Sequence, residues 1–322
     1  MTRSRVLVTG ATGFVGSAVI ARAVADPSLG VVGTSRTPTP EGSQLVSTFA
    51  CDLDDESGWT PALDGVDVVV HTAARVHVMA DSARDPLREF RRVNVDGTLR
   101  LAKAAVAAGT RRFIFVSSIK VNGEQTLPGD VFTADLVPHP LDPYGVSKLE
   151  AEDGLRRLAV ESGLEVVVIR PVLVYGPGVK ANFLQMMRWI SRGVPLPLGG
   201  IENRRSLVGV DNLVDLILTC VSHPRAANQT FLVSDGEDLS TPSLVRRVAQ
   251  AMGKPANLIP VPASVLRAVG RALGRGDFVQ RLCGSLQVDI SKTRELLGWT
   301  PPVGMDEGLR ATAKIFLDRS AN

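Results

Sequence analysis

Tyr144 and Lys148 stand four residues apart in Tyr144-Gly145-Val146-Ser147-Lys148, in a chain that has only two tyrosines and seven lysines. On a helix this spacing puts both on one face, a turn apart. A phenol is a poor base near neutrality, since its ordinary pKa is about 10. A neighbouring ammonium favours phenolate, and so brings the group towards a range where it can exchange a proton with an alcohol or ketone. Upstream, the strand Phe113 to Val116 ends in two serines, Ser117 and Ser118. Hydroxyls there emerge at the carboxyl edge of a sheet, where doubly wound sheets bind ligands, and one of them can polarise a carbonyl or alkoxide oxygen. The catalytic set that these residues suggest is therefore Tyr144 and Lys148 with a serine hydroxyl, Ser117 or Ser118, at the strand end.

A second constellation supports chemistry on a dinucleotide. The run Val6 to Thr9 leads into Gly10, Ala11, Thr12, Gly13, Phe14, Val15 and Gly16, followed by a helical stretch. Glycines at a strand-to-helix turn let the backbone approach a pyrophosphate closely, and the helix N-terminus offers unpaired N–H groups and a positive dipole end. The next strand ends Gly33-Thr34-Ser35-Arg36, without the Asp or Glu that binds an NAD ribose and with a guanidinium that suits a 2′-phosphate. NADP(H) is accordingly the favoured cofactor and NAD(H) the alternative. Asp52 and Leu53 follow a third strand, where an acid can meet the adenine amino group.

Short apolar runs without in-and-out alternation are interspersed with helical stretches. The strands are Val6 to Thr9, Val31 to Thr34, Val66 to His71, Phe113 to Ser117 and Val166 to Arg170; the helices lie near Gly13 to Ala25, Arg88 to Ala108 and Pro143 to Ser162. This alternation predicts an α/β fold, a doubly wound parallel Rossmann sheet buried on both faces. The stretch Thr37 to Ser43 reads as a loop. Beyond residue 175 the Pro and Gly clusters announce a smaller C-terminal substrate-binding lobe. The expected division is a dinucleotide domain over 1–175, with 204–236 returning to it, and a lobe over 176–322. Ala263 to Leu286 carries Arg267, Arg271, Arg275 and Arg281 among apolar residues, but glycines at 270, 274 and 276 interrupt it, so a lobe helix is expected rather than a membrane-surface helix.

The 36 basic and 33 acidic residues are interspersed, and a balance of +3 gives no footprint for nucleic acid. Cys51, Cys220 and Cys283 fit neither a disulfide framework nor a metal spacing, which points to reduced thiols. Met1 to Arg5 run into a strand with no signal-type apolar region, and no window has the length of a membrane span. A cytoplasmic protein without a metal is expected.

Together these residues resemble the extended short-chain dehydrogenase/reductases, the NAD-dependent epimerase/dehydratase family that contains UDP-galactose 4-epimerase and dTDP-glucose 4,6-dehydratase. The resemblance covers nearly the whole chain. It runs through the glycine loop, His71-Thr72-Ala73-Ala74, Asn94 in Val93-Asn94-Val95-Asp96-Gly97-Thr98, Ser118, Tyr144 with Lys148, and Arg170-Pro171. Val174-Tyr175-Gly176-Pro177-Gly178, Arg205 to Asp211, and Leu297-Gly298-Trp299-Thr300-Pro301 continue it. It implies that Thr72, Ala73, Ala74, Asn94 and Pro171 line the cofactor, that Lys148 holds the nicotinamide ribose, that Tyr144 moves the proton, and that Ser118 polarises the same substrate oxygen, so that Ser118, Tyr144 and Lys148 form the catalytic set. It also implies a UDP-sugar substrate, with Arg205 on its diphosphate and Asn182 and Phe183 near the nucleotide, and a homodimer.

One departure matters. Where the 4,6-dehydratases carry Asp and Glu after the catalytic hydroxyl, this chain has Ile119 and Lys120, which argues against dehydration. The surrounding residues look most like bacterial enzymes of surface-polysaccharide synthesis that reduce UDP-4-keto-6-deoxy-N-acetylglucosamine. Reduction of a 4-ketosugar is therefore the first expectation, and 4-epimerisation of UDP-glucose or UDP-N-acetylglucosamine the alternative. A non-catalytic nucleotide sensor is a remote third, since such members lose the Tyr-Lys pair that is present here.

Overall fold

In a computed structural model, residues 3–36, 48–53, 58–76, 85–274 and 276–321 are described. Thr37 to Ser43 and Arg275 lie outside them. The strands are β1 (Ser4–Thr9), β2 (Leu29–Ser35), β3 (Thr48–Ala50), β4 (Val68–His71), β5 (Arg112–Val116), β6 (Glu165–Pro171), β7 (Leu173–Tyr175), β8 (Arg205–Gly209), β9 (Thr230–Val233) and β10 (Asp238–Leu239). The helices are α1 (Phe14–Val24), α2 (Trp59–Leu63), α3 (Pro86–Arg91), α4 (Thr98–Ala107), α5 (Pro143–Ser162), α6 (Ala181–Ser191), α7 (Val210–Ser222), α8 (Thr241–Ala251), α9 (Ala263–Ala272), α10 (Gly276–Cys283), α11 (Ser291–Leu297) and α12 (Met305–Ala321).

Seven strands form one parallel sheet in the order β3-β2-β1-β4-β5-β6-β9. Successive residues of a strand face opposite sides, and here both sides are apolar. Val6 and Val8 of β1 pack with α1 and α7, while Leu7 packs with α2, α4 and α5. Both faces are thus covered by helices, as a parallel sheet of continuous Val, Ile and Phe runs requires. The strand order reverses between β1 and β4. A crevice opens at the carboxyl ends of such a pair, and this is the ligand position in open α/β sheets.

Of residues 204–236, β9 returns to the large sheet beside β6, and α7 packs on that sheet. β8 does not return. Both of its edges are taken, by β7 in parallel and β10 in antiparallel fashion, in a separate three-stranded sheet. A third apolar cluster, with Phe183 and Met187 of α6, Val245 and Val248 of α8, and Leu309 of α12, builds the lobe on this small sheet. The Ala263 to Leu286 stretch is two helices, with Gly274 at φ +67° between them. Among the described residues no helix is long and apolar enough to cross a membrane.

Candidate active site

The glycine loop is a close-packed turn at the end of β1. Gly10 adopts φ +67°, which a residue with a side chain resists, and a Cβ on it would lie 2.9 Å from the Ala73 nitrogen. A Cβ on Gly16 would lie 2.2 Å from the Gly10 carbonyl oxygen and 2.7 Å from Thr72 Oγ1. These contacts seat α1 directly on the loop. Gly13 starts α1 and brings no side-chain cap, and Thr12 and Gly13 are exposed, so the first turn presents backbone N–H groups outward. Phe14 and Val15 are half-buried beside them.

The loop after β4 is tied to the same turn. Thr72 Oγ1 donates to the Thr9 carbonyl at 2.6 Å, and the Ala73 N–H donates to Thr9 Oγ1 at 3.3 Å. Thr72, Ala73 and Ala74 remain half-buried. His71 is fully buried between Thr9 Oγ1 (2.6 Å) and Thr98 Oγ1 (3.0 Å). Burial, and then the nearby Lys148, depress its pKa to about 3, so it is a neutral strut rather than an acid or base. Arg36 is exposed at the end of β2. Asp52 is exposed and Leu53 buried; the Leu53 carbonyl accepts from Arg100 at 2.8 Å and 3.0 Å. Pro171 is buried at the end of β6.

Asn94 sits in a π-helical stretch, Arg92–Gly97, between α3 and α4. Such bulges recur at functional sites because they re-aim one side chain. The buried Asn94 carboxamide accepts from the Arg75 N–H (2.8 Å) and donates to the Arg75 carbonyl (3.0 Å) and to Ser147 Oγ (3.0 Å). It therefore links the β4 loop to the catalytic helix. Sequence periodicity shows a helix here but not the bulge.

α5 starts at Asp142, whose Oδ1 accepts the Gly145 N–H at 2.6 Å, with Pro143 at the first helical position. Tyr144 then lies half-buried, with its ring edge-on to Phe90 at 5.9 Å and its hydroxyl bonded to Ser118. Burial and the Asp142 carboxylate push its phenol up to about 12, and the bond to Ser118 works the other way. Lys148, one turn on, is 1% exposed with its ammonium nitrogen 4.0 Å from the centre of the Phe115 ring. Burial brings its pKa down to about 7, opposed by the charge of Glu152. The structure thus brings Ser118, Tyr144 and Lys148 together at the carboxyl end of β5, beside the crevice.

Glu152 is the residue that sequence reasoning missed. It continues the Tyr144–Lys148 face by one more turn, which was the available signal. It is fully buried and accepts from Ser117 Oγ (2.6 Å), Arg170 Nε (2.9 Å), Arg170 Nη2 (2.6 Å) and Arg156 Nη2 (2.8 Å). Arg170 also donates to Asn122 Oδ1 at 3.0 Å. This network pins the ends of β5 and β6 to the catalytic helix.

The lobe residues are placed less uniformly. Asn182 is exposed at the start of α6, after Ala181 at φ +53°; Phe183 is buried and stacked on Tyr175 at 5.8 Å. Arg205 begins β8, and its Nη1 donates to the carbonyls of Arg281 (2.7 Å) and Gly284 (3.1 Å), so part of the guanidinium holds the carboxyl end of α10. The other tyrosine, Tyr175, donates to Asp235 at 2.7 Å and is structural.

With a helix N-terminus that lacks a side-chain cap on a glycine turn beside a Tyr-Lys-Ser set, its lysine buried and its tyrosine and serine half-buried, the fold and site define a nucleotide-dependent short-chain dehydrogenase/reductase of the extended type. Residues 6–234 match the family model described as the NAD dependent epimerase/dehydratase family, and the chain belongs to that family of enzymes. It is 49% identical to a UDP-glucose 4-epimerase of Vibrio cholerae over 97% of this chain and 95% of that protein. Among solved structures, MoeE5 in complex with UDP-glucose and NAD superimposes with a TM-score of 0.79 at 27% identity, covering 99% of this chain and 100% of that one. RMD from Pseudomonas aeruginosa complexed with NADPH gives 0.77 at 26%, covering 98% and 99%.

Proposed function

We propose that this enzyme is a UDP-sugar 4-epimerase that inverts carbon 4 of UDP-glucose and its close relatives. The observation that carries the reading is the near-full-length likeness to the Vibrio cholerae epimerase, together with a complete Ser118–Tyr144–Lys148 set. This reverses the order of the sequence-based expectations, in which reduction came first.

The residues fit a dinucleotide. The open first turn of α1 suits a pyrophosphate, and the half-buried Thr72, Ala73 and Ala74 border the same crevice as Tyr144. When bound, NAD supplies a hydride acceptor and, in its oxidised form, a positive charge. Tyr144 is placed to take the proton from the sugar 4-hydroxyl and to return it to the ketone oxygen after the ring has presented its other face. Ser118 is bonded to the same phenol and shares that oxygen. Lys148 sits one turn away, and in its protonated form its charge favours phenolate. No carboxylic acid follows Ser118 to remove a carbon-bound proton; Ile119 is buried there, and Lys120 is ion-paired.

Arg36 favours the second reading, an NADPH-dependent 4-ketosugar reductase, because it is exposed where a carboxylate would select NAD. An epimerase must keep its nucleotide through two transfers, whereas a reductase exchanges it. Incubation of the purified protein with UDP-glucose and no added cofactor is expected to yield UDP-galactose, and denaturation is expected to release NAD. Protein that arrives free of nucleotide, is inert towards UDP-glucose, and oxidises NADPH with a UDP-4-ketosugar overturns the epimerase reading and establishes the reductase.

A further inference from the structure

α9 and α10 pack on the lobe by one side only. Leu266 of α9 and Val279 and Leu282 of α10 join the third apolar cluster, and Gly270 is buried on the same side of α9 as Leu266. The outward side of α9 is apolar as well. Val265, Val269 and Leu273 follow one another at helical spacing and are 48%, 51% and 70% exposed, and Phe278 of α10 is 42% exposed. Exposed apolar residues such as Val24 and Val160 stand singly, which is ordinary for a protein surface; a row of them along one helix is not. The remaining sector of α9 carries Arg267 and Arg271, both exposed, and Arg281 lies one turn beyond Phe278.

The charge is as unevenly placed as the apolar surface. Residues 263–286 hold four arginines and one acid, Asp277, while the rest of the chain carries equal numbers of basic and acidic residues, so the whole balance of +3 resides in this stretch. Such a face needs a partner that takes apolar and cationic side chains together. A second copy docking symmetrically through it would set arginine against arginine. A nucleic acid would neutralise the arginines and leave the valines and the leucine in water. An anionic bilayer accepts both, since the apolar side chains enter the headgroup boundary and the guanidiniums meet lipid phosphates. The face is also firmly mounted: Arg205 Nη1 holds the carboxyl end of α10 through the carbonyls of Arg281 (2.7 Å) and Gly284 (3.1 Å).

We propose that the outward face of α9 and α10 is a docking surface for an anionic lipid bilayer, and that the enzyme works as a peripheral membrane protein with its lobe on the lipid. Both readings of the Ala263 to Leu286 stretch are then met at once: the inward faces build the lobe, and the outward faces lie on the membrane surface. The proposal does not depend on which reaction the site performs.

The full chain is sedimented with vesicles of phosphatidylcholine alone and with vesicles containing about one-third phosphatidylglycerol. Binding is expected to the second kind and to weaken as salt is raised. The variant Val269→Ser with Leu273→Ser should bind the anionic vesicles at least about tenfold more weakly, because two side chains no longer gain from leaving water. Arg271→Gln should weaken the same binding on the order of fivefold. UDP-glucose turnover by both variants should stay native, since neither touches the catalytic set. Absence of vesicle binding, equal binding to the two kinds of vesicle, or binding that the two serines leave unchanged overturns the proposal. A dimer in lipid-free sedimentation velocity that the two serines convert to a monomer assigns the face to a second copy and overturns it too. If the double variant does not fold by circular dichroism, Arg271→Gln decides, and unchanged binding to the anionic vesicles refutes the docking surface. Native protein that binds the anionic vesicles but never turns over UDP-glucose refutes the epimerase reading and leaves the docking surface standing.

Discussion

Glu152→Gln preserves the shape of a buried side chain and removes its charge, and the geometry allows its cost to be worked out. Four donor contacts converge on the two carboxylate oxygens, at 2.6–2.9 Å, from Ser117, Arg156 and twice from Arg170. A carboxamide offers one acceptor oxygen, and its NH2 must face guanidinium donors. At least one charge-assisted bond of about 1.5–3 kcal/mol is lost. Arg170 is 2% exposed at its side chain, so it keeps its charge with no solvent to replace the counterion. Removal of one partner from such a pair costs about 3–5 kcal/mol, a large part of a total stability of about 5–15 kcal/mol. Urea unfolding at pH 7.5, followed by tryptophan fluorescence, should show a midpoint lowered accordingly with an unchanged slope. The double variant Glu152→Leu with Arg170→Met removes both charges and should recover much of the loss. A single variant within about 1 kcal/mol of the native protein, roughly the worth of an ordinary surface ion pair, would refute the reasoning, since it would mean that water reaches the pair.

Tyr144→Phe should lower turnover by roughly two to four orders of magnitude while NAD remains bound, because the ring still packs on Phe90 and only proton transfer is lost. Activity within a few-fold of native would remove the phenol from the mechanism. Gly16→Ala places a methyl 2.2 Å from the Gly10 carbonyl and must push α1 off the loop; equilibrium dialysis should show dinucleotide affinity weakened at least about tenfold, or 1.4 kcal/mol. Native affinity there would dissociate the loop from the pyrophosphate. Lys148, with a folded pKa brought to about 7 by burial, makes stability depend on pH. The unfolded chain binds this proton up to about pH 10.4 and the folded one does not, so stability rises with pH above 7. Between pH 7 and 8.5 the native protein should gain about 1.5 kcal/mol from this group, a gain absent in Lys148→Met. Equal pH dependence in the two proteins would show that Lys148 stays charged in the fold.

How much of this was legible in the sequence depends on the range of the interactions involved. The glycine loop and the Tyr144–Lys148 pair are local patterns, one set by backbone geometry and the other by helical period, and both could be read directly. The seven-stranded sheet was largely readable for the same reason, since strands buried on both faces are continuous apolar runs. The small sheet was not. β7 and β10 hold three and two residues, too short for a period, and β8 lies in the span 204–236 expected to return to the dinucleotide domain, whereas its partners are β7 and β10. The cap of α5 is written in Asp142-Pro143, but its ion pair with Lys120 spans 22 positions, and the Glu152–Arg170 pair joins a helix to the following strand across 18. Charges that meet through folding leave no mark in spacing.

The placement of β9 carries a consequence for how the chain is made. The chain leaves the large sheet after β6, builds β7, α6 and β8 of the lobe, and only then supplies the strand that covers the edge of β6. During synthesis from the N-terminus, β6 emerges with an open row of backbone groups along a Val and Ile strand, and it stays so until some sixty further residues have followed. Such an edge invites pairing with another nascent chain. The long loop that β9 must close also delays its arrival. A gene fragment ending near Tyr175 should therefore give an aggregating product rather than a free-standing nucleotide-binding module.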